Sequence, residues 1–405
     1  MPAVPTPSDR SFSCAVRVNG VRSDSLLKCI QSVVVDEDLD VGSSCAVTLE
    51  ACRNEDGSWP YLEDENLQVW NRITVMAAFP KQTEVVFDGY VSHVSARTNA
   101  QSANMTVEIR GVDASYHMNQ QEKTRIWRDQ TYEAIAAEIF KQYEFKPFIA
   151  DAPQQGASAV QVAQRSTDHR FLRELARRRG YEFYVLGGNA YFRPADLTTQ
   201  PQKLIAINFG AQTNCDDLQF DSDGTAPTLA SVSYFDALEG KARIDAPTES
   251  GLPALGTKLL SSLRGQVNMP QARRIARGMG FSSQAQAAGY AAGMLRRNAW
   301  WVTASGSLNG SRYGRVLRSR KLVTVKGAGP NLNGNYYVRK VQHHLTARTY
   351  EMQFELARNA LGKLDSEPFE GEHPDDMAPP AAGAGADADA DAITVAESGP
   401  RVLPA

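Results

Sequence analysis

The sequence predicts a β-dominated α+β protein, and three observations carry that prediction. Short strand-like runs, broken by Asp, Asn, Gly and Pro clusters, recur up to residue 118 and again after residue 200. Between them, from Thr131 to Gly180, apolar residues fall at helical spacing. After Ala360 the chain turns to Pro, Ala, Gly and Asp, which cannot bury a core and reads as a disordered acidic tail.

Taken in order, residues 12–18 read as a strand and meet Asn19-Gly20, a dipeptide that tolerates both positive φ angles of a two-residue hairpin turn. Strand-like runs at 45–50, 72–78, 84–94 and 105–111 follow, enough for a barrel or sandwich. Tyr132, Ile135, Ala136, Ile139 and Phe140 then form one helical stripe, which Pro147 prevents from continuing. A Gln, Gly, Ser and Ala loop at 154–161 leads to a second helix over 168–180. Asp168 or Ser166 is placed to cap it, and Phe171, Leu172, Leu175 and Ala176 form its apolar stripe. Arginines fill its last turn, where the helix dipole favours cations, and Gly180 stops it. Residues 181–186 and 190–193 read as a hairpin around Gly187-Gly188-Asn189.

Strand patterns resume at 203–209 and 230–236, and an Ala-rich helix, thin enough for close packing, is expected from Ser282 or Ser283 to Asn298. Strands follow at 300–308, 321–326, 336–346 and 349–357. In the last, Tyr350, Met352, Phe354 and Leu356 alternate with polar residues and mark one buried face. Asn333-Gly334 reads as another hairpin turn. Residues 87–94 echo residues 332–341, each a turn glycine followed by an aromatic residue and valines, as two barrels of related design would. The expected domains are a barrel at 10–118, an α/β insertion at 119–200, a second barrel with a helical insertion at 201–360 and the tail at 361–405.

A chain of 405 residues, 42% hydrophobic and 22% charged, can build several cores. No run approaches the roughly 20 apolar residues of a membrane helix, and no basic then apolar leader opens the chain. The expected location is the cytoplasm, or a particle assembled there. Cys14, Cys29, Cys45, Cys52 and Cys215, an odd number without CxxC spacing, read as reduced thiols.

The net charge of −3 hides a strong segregation, because residues 36–65 hold ten acids and one base while residues 250–350 hold sixteen Lys and Arg and no acid. Arg273, Arg274, Arg296, Arg297, Arg315 and Arg318 in that block are candidates to face a partner. The block reads in three ways: a surface for an acidic partner, including the acidic segment of a neighbouring copy; a nucleic-acid site; or a solvated face.

No residue set points to catalysis, and no metal or cofactor is expected. His343 and His344 are adjacent in a strand and point to opposite faces, which prevents joint chelation. His-Glu-x-x-His, Gly-x-Ser-x-Gly and phosphate-loop motifs are absent. Glu133 and Glu138 could pair as glycosidase carboxylates, but their helical setting reads as a solvated face. Gly278-Met279-Gly280 reads as a turn rather than a dinucleotide loop, and the alternating Asp387, Asp389 and Asp391 as tail rather than a calcium site.

An ordered set of segments resembles the late control protein D family of contractile phage tails, which includes the hub portion of the valine-glycine-repeat spike proteins. The set comprises residues 87–91 with Gly89 and Tyr90, and 164–175 with Asp168, Phe171, Leu172 and Leu175. It continues with 180–185, holding Gly180, Tyr181, Phe183 and Tyr184, then 332–343 with Gly334, Tyr337 and Val338, and ends at 354–359. Together these cover roughly residues 10–360.

The resemblance implies a structural baseplate hub of a contractile injection system. Two tube-like barrels per chain in a homotrimer would match a hexameric tail tube and seat a trimeric spike. The implied partners are the chain itself, a spike protein, an inner tail tube protein and baseplate wedge proteins, with no membrane insertion. No repetitive spike follows Ala360, so the spike is expected to be a separate chain. Two other readings stay open: a tail-associated peptidoglycan hydrolase, and a nucleic-acid-binding module built on the basic block.

Overall fold

The computed structural model describes residues 12–22, 29–39, 42–52, 58, 67–80, 82–98, 104–151, 160–236, 241–245, 250–277, 281 and 284–364. Most of the expected loop at 154–161, Gly278-Met279-Gly280, Ser282, Ser283, His373 and the tail beyond Leu364 lie outside the described residues.

The first part of the chain forms β1 (Ser13–Val18), β2 (Val21–Arg22), β3 (Ile30–Asp38), β4 (Ser44–Cys52), β5 (Arg72–Phe79), β6 (Gln82–Thr98) and β7 (Asn104–Val112). Asn19 and Gly20 turn β1 into β2 with φ of 51° and 80°. Val33 and Val35 of β3, Val47 and Leu49 of β4, and Val107 and Ile109 of β7 point into one core.

The period then changes, through β8 (Glu122–Gln130), α1 (Tyr132–Gln142), β9 (Lys146–Ile149), β10 (Val160–Thr167), α2 (Asp168–Arg179), β11 (Glu182–Leu186) and β12 (Asn189–Arg193). Thr131 caps α1, and Thr167 caps α2 by accepting from Arg170 N at 3.3 Å. Thr167 replaces the expected Asp168 or Ser166, because Asp168 is already the first helical residue. Gly180 ends α2 with φ 65°. Pro147 sits inside β9, after α1 has already closed at Tyr143.

The remaining strands are β13 (Gln202–Ala206), β14 (Cys215–Ser222), β15 (Leu229–Asp236), β16 (Lys241–Asp245), β17 (Lys258–Leu259) and β18 (Arg273–Ala276), then β19 (Val302–Asn309), β20 (Leu322–Lys326), β21 (Gly334–Leu345), β22 (Tyr350–Arg358) and β23 (Ala360–Leu361). Among them lie α3 (Leu260–Gln266), α4 (Gln284–Asn298) and α5 (Gly310–Tyr313).

Thirteen of these strands form a single sheet in the order β14-β19-β22-β21-β3-β4-β7-β6-β5-β1-β2, with β20 on β21 and β13 on β20. The β-dominated class therefore stands, but among the described residues the hydrogen bonding does not close two barrels. The strand path has two ends, and β3 joins the two parts of the chain by pairing antiparallel with β21, Leu345 opposite Val33 and Lys340 opposite Asp38. One hydrophobic core accordingly runs from Val16 to Leu356.

Two expectations drawn from glycines are corrected. Gly89 lies inside β6 rather than in a turn, where a Cβ would stand 2.2 Å from Val112 O. Asn333-Gly334 is not a two-residue turn: β20 ends at Lys326 and β21 begins at Gly334, so the loop between them is longer.

The second core packs α1 and α2 against β9, β11 and β12. Glu133, expected on a solvated face, is 5% exposed and lies 3.3 Å from the equally buried Arg179. Glu138 does face solvent and pairs with Arg125 at 2.6 Å. The Ala-rich α4 covers β15 and crosses the end of α2 closely enough that a Cβ on Gly293 would meet Arg178 O at 2.3 Å. No helix among the described residues is long and apolar enough to cross a membrane.

Candidate assembly interface

The period of β3 carries its buried face past Val33 and Val35 to Glu37, so a carboxylate occupies a core position. It is compensated from the acid-free block. Arg318 Nη1 donates to Glu37 Oε1 at 2.7 Å and Ser319 N donates to Oε2 at 2.9 Å. Desolvation would raise the Glu37 pKa, but Arg318, His343 and these hydrogen bonds together outweigh it and hold the carboxyl below its ordinary value. His343 is fully buried, its Nδ1 2.9 Å from Tyr350 Oη, and burial pushes its pKa down to about 4. Gln202 clasps the segment by accepting from Arg318 N at 2.8 Å and donating to Arg318 O at 2.9 Å. Arg320, at φ 62°, donates to Asp38 O.

The acid-free block thus meets acids of its own chain. Arg312 pairs with Asp216 at 2.6 Å, Arg315 lies 3.8 Å from Glu84, and Lys340 lies 3.8 Å from Asp38. Arg358, whose side chain is fully buried, has no carboxylate partner among the described residues. Its guanidinium donates to the carbonyls of Asn333 at 2.9 Å, Gly362 at 2.7 Å and Leu255, and so ties the β20–β21 loop to the chain around β17 and β23.

Arg296 and Arg297 end α4 against the C-terminus of α2. Arg296 donates to Arg179 O at 2.9 Å and to Ser250 O at 2.8 Å, and Arg297 donates to Arg177 O. Cations are favoured at the carbonyls that close a helix, where the dipole is negative. Arg273 and Arg274 differ, standing exposed on β18 at one side of the β16-β15-β18 sheet, beside the exposed Ile275. Arg296 and Arg297 thus act together at the end of α2, while Arg273 and Arg274 stand on a strand of a different sheet from β20, which follows Arg315 and Arg318.

The motif residues are mostly packing residues. Phe171 stacks on Trp127 at 6.3 Å, Leu172 and Leu175 are fully buried, and Phe183 stacks on Phe140 at 5.9 Å. Asp168 accepts from Lys123 Nζ at 2.6 Å, Gln164 Nε2 at 2.6 Å and Tyr143 Oη at 2.8 Å, and so locks β8, β10 and α1 to the start of α2. Tyr181 meets Phe192 edge-on at 5.5 Å, and Tyr184 stacks on Tyr191 at 4.4 Å. Tyr337 donates to Glu182 Oε2 at 2.7 Å and stacks on Trp300 at 5.4 Å, joining the insertion to β21 beside the buried Val338.

Tyr90 belongs to the surface instead. Its ring lies 4.7 Å from His117, which contacts Trp70 at 6.2 Å; Trp70, at φ 71°, is 45% exposed beside Val69 and Tyr116. This aromatic patch escaped the sequence reading, since nothing local distinguishes an exposed Trp from a core one. Glu37 had a signal, an acid continuing a Val-x-Val alternation. Among the described residues no group of three His, Cys, Asp or Glu could hold a metal, and Cys14, Cys29, Cys45 and Cys215 form no disulfide.

The fold is shared with phage tail proteins. A 43 kDa tail protein of prophage MuSo2 from Shewanella oneidensis aligns at TM-score 0.59 with 15% identity, over 87% of this chain and 100% of its own. A tail protein from Neisseria meningitidis MC58 aligns at 0.59 with 12% identity, over 86% and 97%. Prophage tail protein gp18 from Listeria monocytogenes EGD-e aligns at 0.51 with 13% identity, over 86% and 95%. No curated protein matches the sequence. The family model that matches is not that of late control protein D. It is the one described as the Alg8 N-terminal domain, which matches residues 8–347, and the chain belongs to that family.

Proposed function

We propose that this chain is a structural baseplate hub subunit of a contractile phage tail or related injection system, close to the late control protein D type. Three copies form a ring that adapts a hexameric tail tube to a trimeric spike. The observation that carries this reading is the likeness to tail proteins along nearly their whole length. In it, residues 10–118 and 201–360 are the two tube-like halves and 119–200 decorate them. Six halves in three copies give the sixfold match, and the β3–β21 pairing, which links the two parts of each chain, supports treating them as one subunit.

Neighbouring copies meet through the Trp70 patch and the terminal strands of the sheet. Arg273 and Arg274 face an acidic neighbour. The expected partners are a spike, an inner tail tube protein and wedge proteins, and the subunit is made in the cytoplasm before entering the particle. Light scattering of the purified chain, alone and with its tube and spike partners, tests this reading. A mass three times that of one chain is expected, whereas a monomer under every condition overturns it.

A further inference from the structure

We propose that the acidic C-terminal segment of this chain, Asp365 to Asp376, docks in an arginine groove between α2 and β21. The groove has a volume of about 490 Å³ and is lined by Arg170, Arg173 and Arg177 of α2, by Arg339 of β21, and by Tyr181 and Trp300. The α2 arginines follow a helical i, i+3, i+7 pattern and all three are exposed, which makes them one cationic stripe. The carboxylates in the groove are engaged already, Glu174 by Arg178 and Glu182 by Tyr337 Oη. Arg170 lies 4.0 Å from Glu122 and Arg339 acts on the buried Glu182, but among the described residues no carboxylate forms an ion pair with Arg173 or Arg177. Like charges crowd there: His169 is pushed down to about 4 by burial and then by Arg173 and Arg170.

The missing counter-charge is present in the same chain. Residues 365–405 carry ten acids against Arg401 alone, a net −9 that leaves +6 on residues 1–364. Six of those acids fall between Asp365 and Asp376. The described chain also stops close to the groove. Gly362 O would touch a Cβ on Gly256 at 2.5 Å, and Leu252, four residues earlier, lines the groove. Four residues span at most about 14 Å, and the 14 residues from Gly362 to Asp376 would span about 20 Å on average if they behaved as a random coil. The segment is therefore held at high local concentration beside the arginines, which favours it over an acidic segment of another copy.

The test uses the full-length chain and a protease that cuts after glutamate, reading cleavage after Glu370 and Glu372. At low salt, Arg173→Glu/Arg177→Glu/Arg339→Glu is expected to be cut about fivefold faster than the wild type, with the difference lost at about 0.5 M salt. Asp365→Asn/Asp375→Asn/Asp376→Asn alters no described residue, keeps the cleavage sites and is expected to show the same acceleration. Should the first variant fail to fold, the second decides. Equal rates for wild type and the tail variant at low salt overturn the proposal. Protection that grows with protein concentration overturns it too, by assigning the segment to a neighbouring copy.

Discussion

Replacing Arg318 by Met tests whether the β3–β21 junction depends on the buried Glu37–Arg318 pair. The Arg318 side chain is 18% exposed and that of Glu37 is 9% exposed, so the pair is largely withdrawn from water. Removing one partner of a buried pair costs about 3–5 kcal/mol, because the other charge stays buried without its compensation. Two features move the expectation to the lower end. Ser319 N still donates to Glu37, and the carboxyl can take up a proton once the arginine that lowers its pKa is gone. The expected loss is about 3 kcal/mol at pH 7.

Glu37→Gln/Arg318→Met leaves no stranded charge and is expected to be more stable than Arg318→Met alone, with a coupling of about 1–3 kcal/mol. The sign with pH follows from the depressed Glu37 pKa. Its contribution is fully present above the ordinary carboxyl value of 4.5 and is lost as pH falls through the folded value. Urea unfolding followed by tryptophan fluorescence, for the wild type, both single variants and the double, measures all of this. A loss below about 0.5 kcal/mol for Arg318→Met, with no coupling to Glu37→Gln, would refute the reasoning.

Three further outcomes follow from the same geometry. His343 has an ordinary pKa of 6.5 and a folded value of about 4, so between these the unfolded state binds a proton that the folded state refuses. Stability should fall by about 1.4 kcal/mol for each unit by which the pH is lowered across that window, and His343→Gln should remove about one proton's worth of the slope in urea midpoints. Gly293→Val would press a side chain into Arg178 O and is expected to destabilise the α2–α4 contact by about 1–3 kcal/mol in thermal melts. Cys45 is buried and its thiol is pushed up to about 12, so thiol titration of the native chain should leave it unreacted until urea is added.

Much of the local structure was legible in the sequence. The apolar stripe of α2, its terminal arginines and Gly180, the Asn19-Gly20 turn, and the alternation of Tyr350, Met352, Phe354 and Leu356 each depend on backbone preference and side-chain period within a few residues. The same local evidence misled at Asn333-Gly334, where the loop is longer and is held by Arg358 from across the fold. It also misled at Glu133, where burial was decided by Arg179, 46 residues later in the chain.

What only the tertiary structure decided is partnership. The sequence reading did not identify β3 as a strand, yet β3 joins the two parts of the sheet by pairing with β21. It showed acids at one end and bases at the other, but not that Glu37 meets Arg318 from 281 residues away. Period and propensity act between neighbours, and they set which face of an element is apolar. Which other face covers it, and which buried charge compensates another, is fixed by the geometry of the closed chain, because only there is water removed from both partners at once.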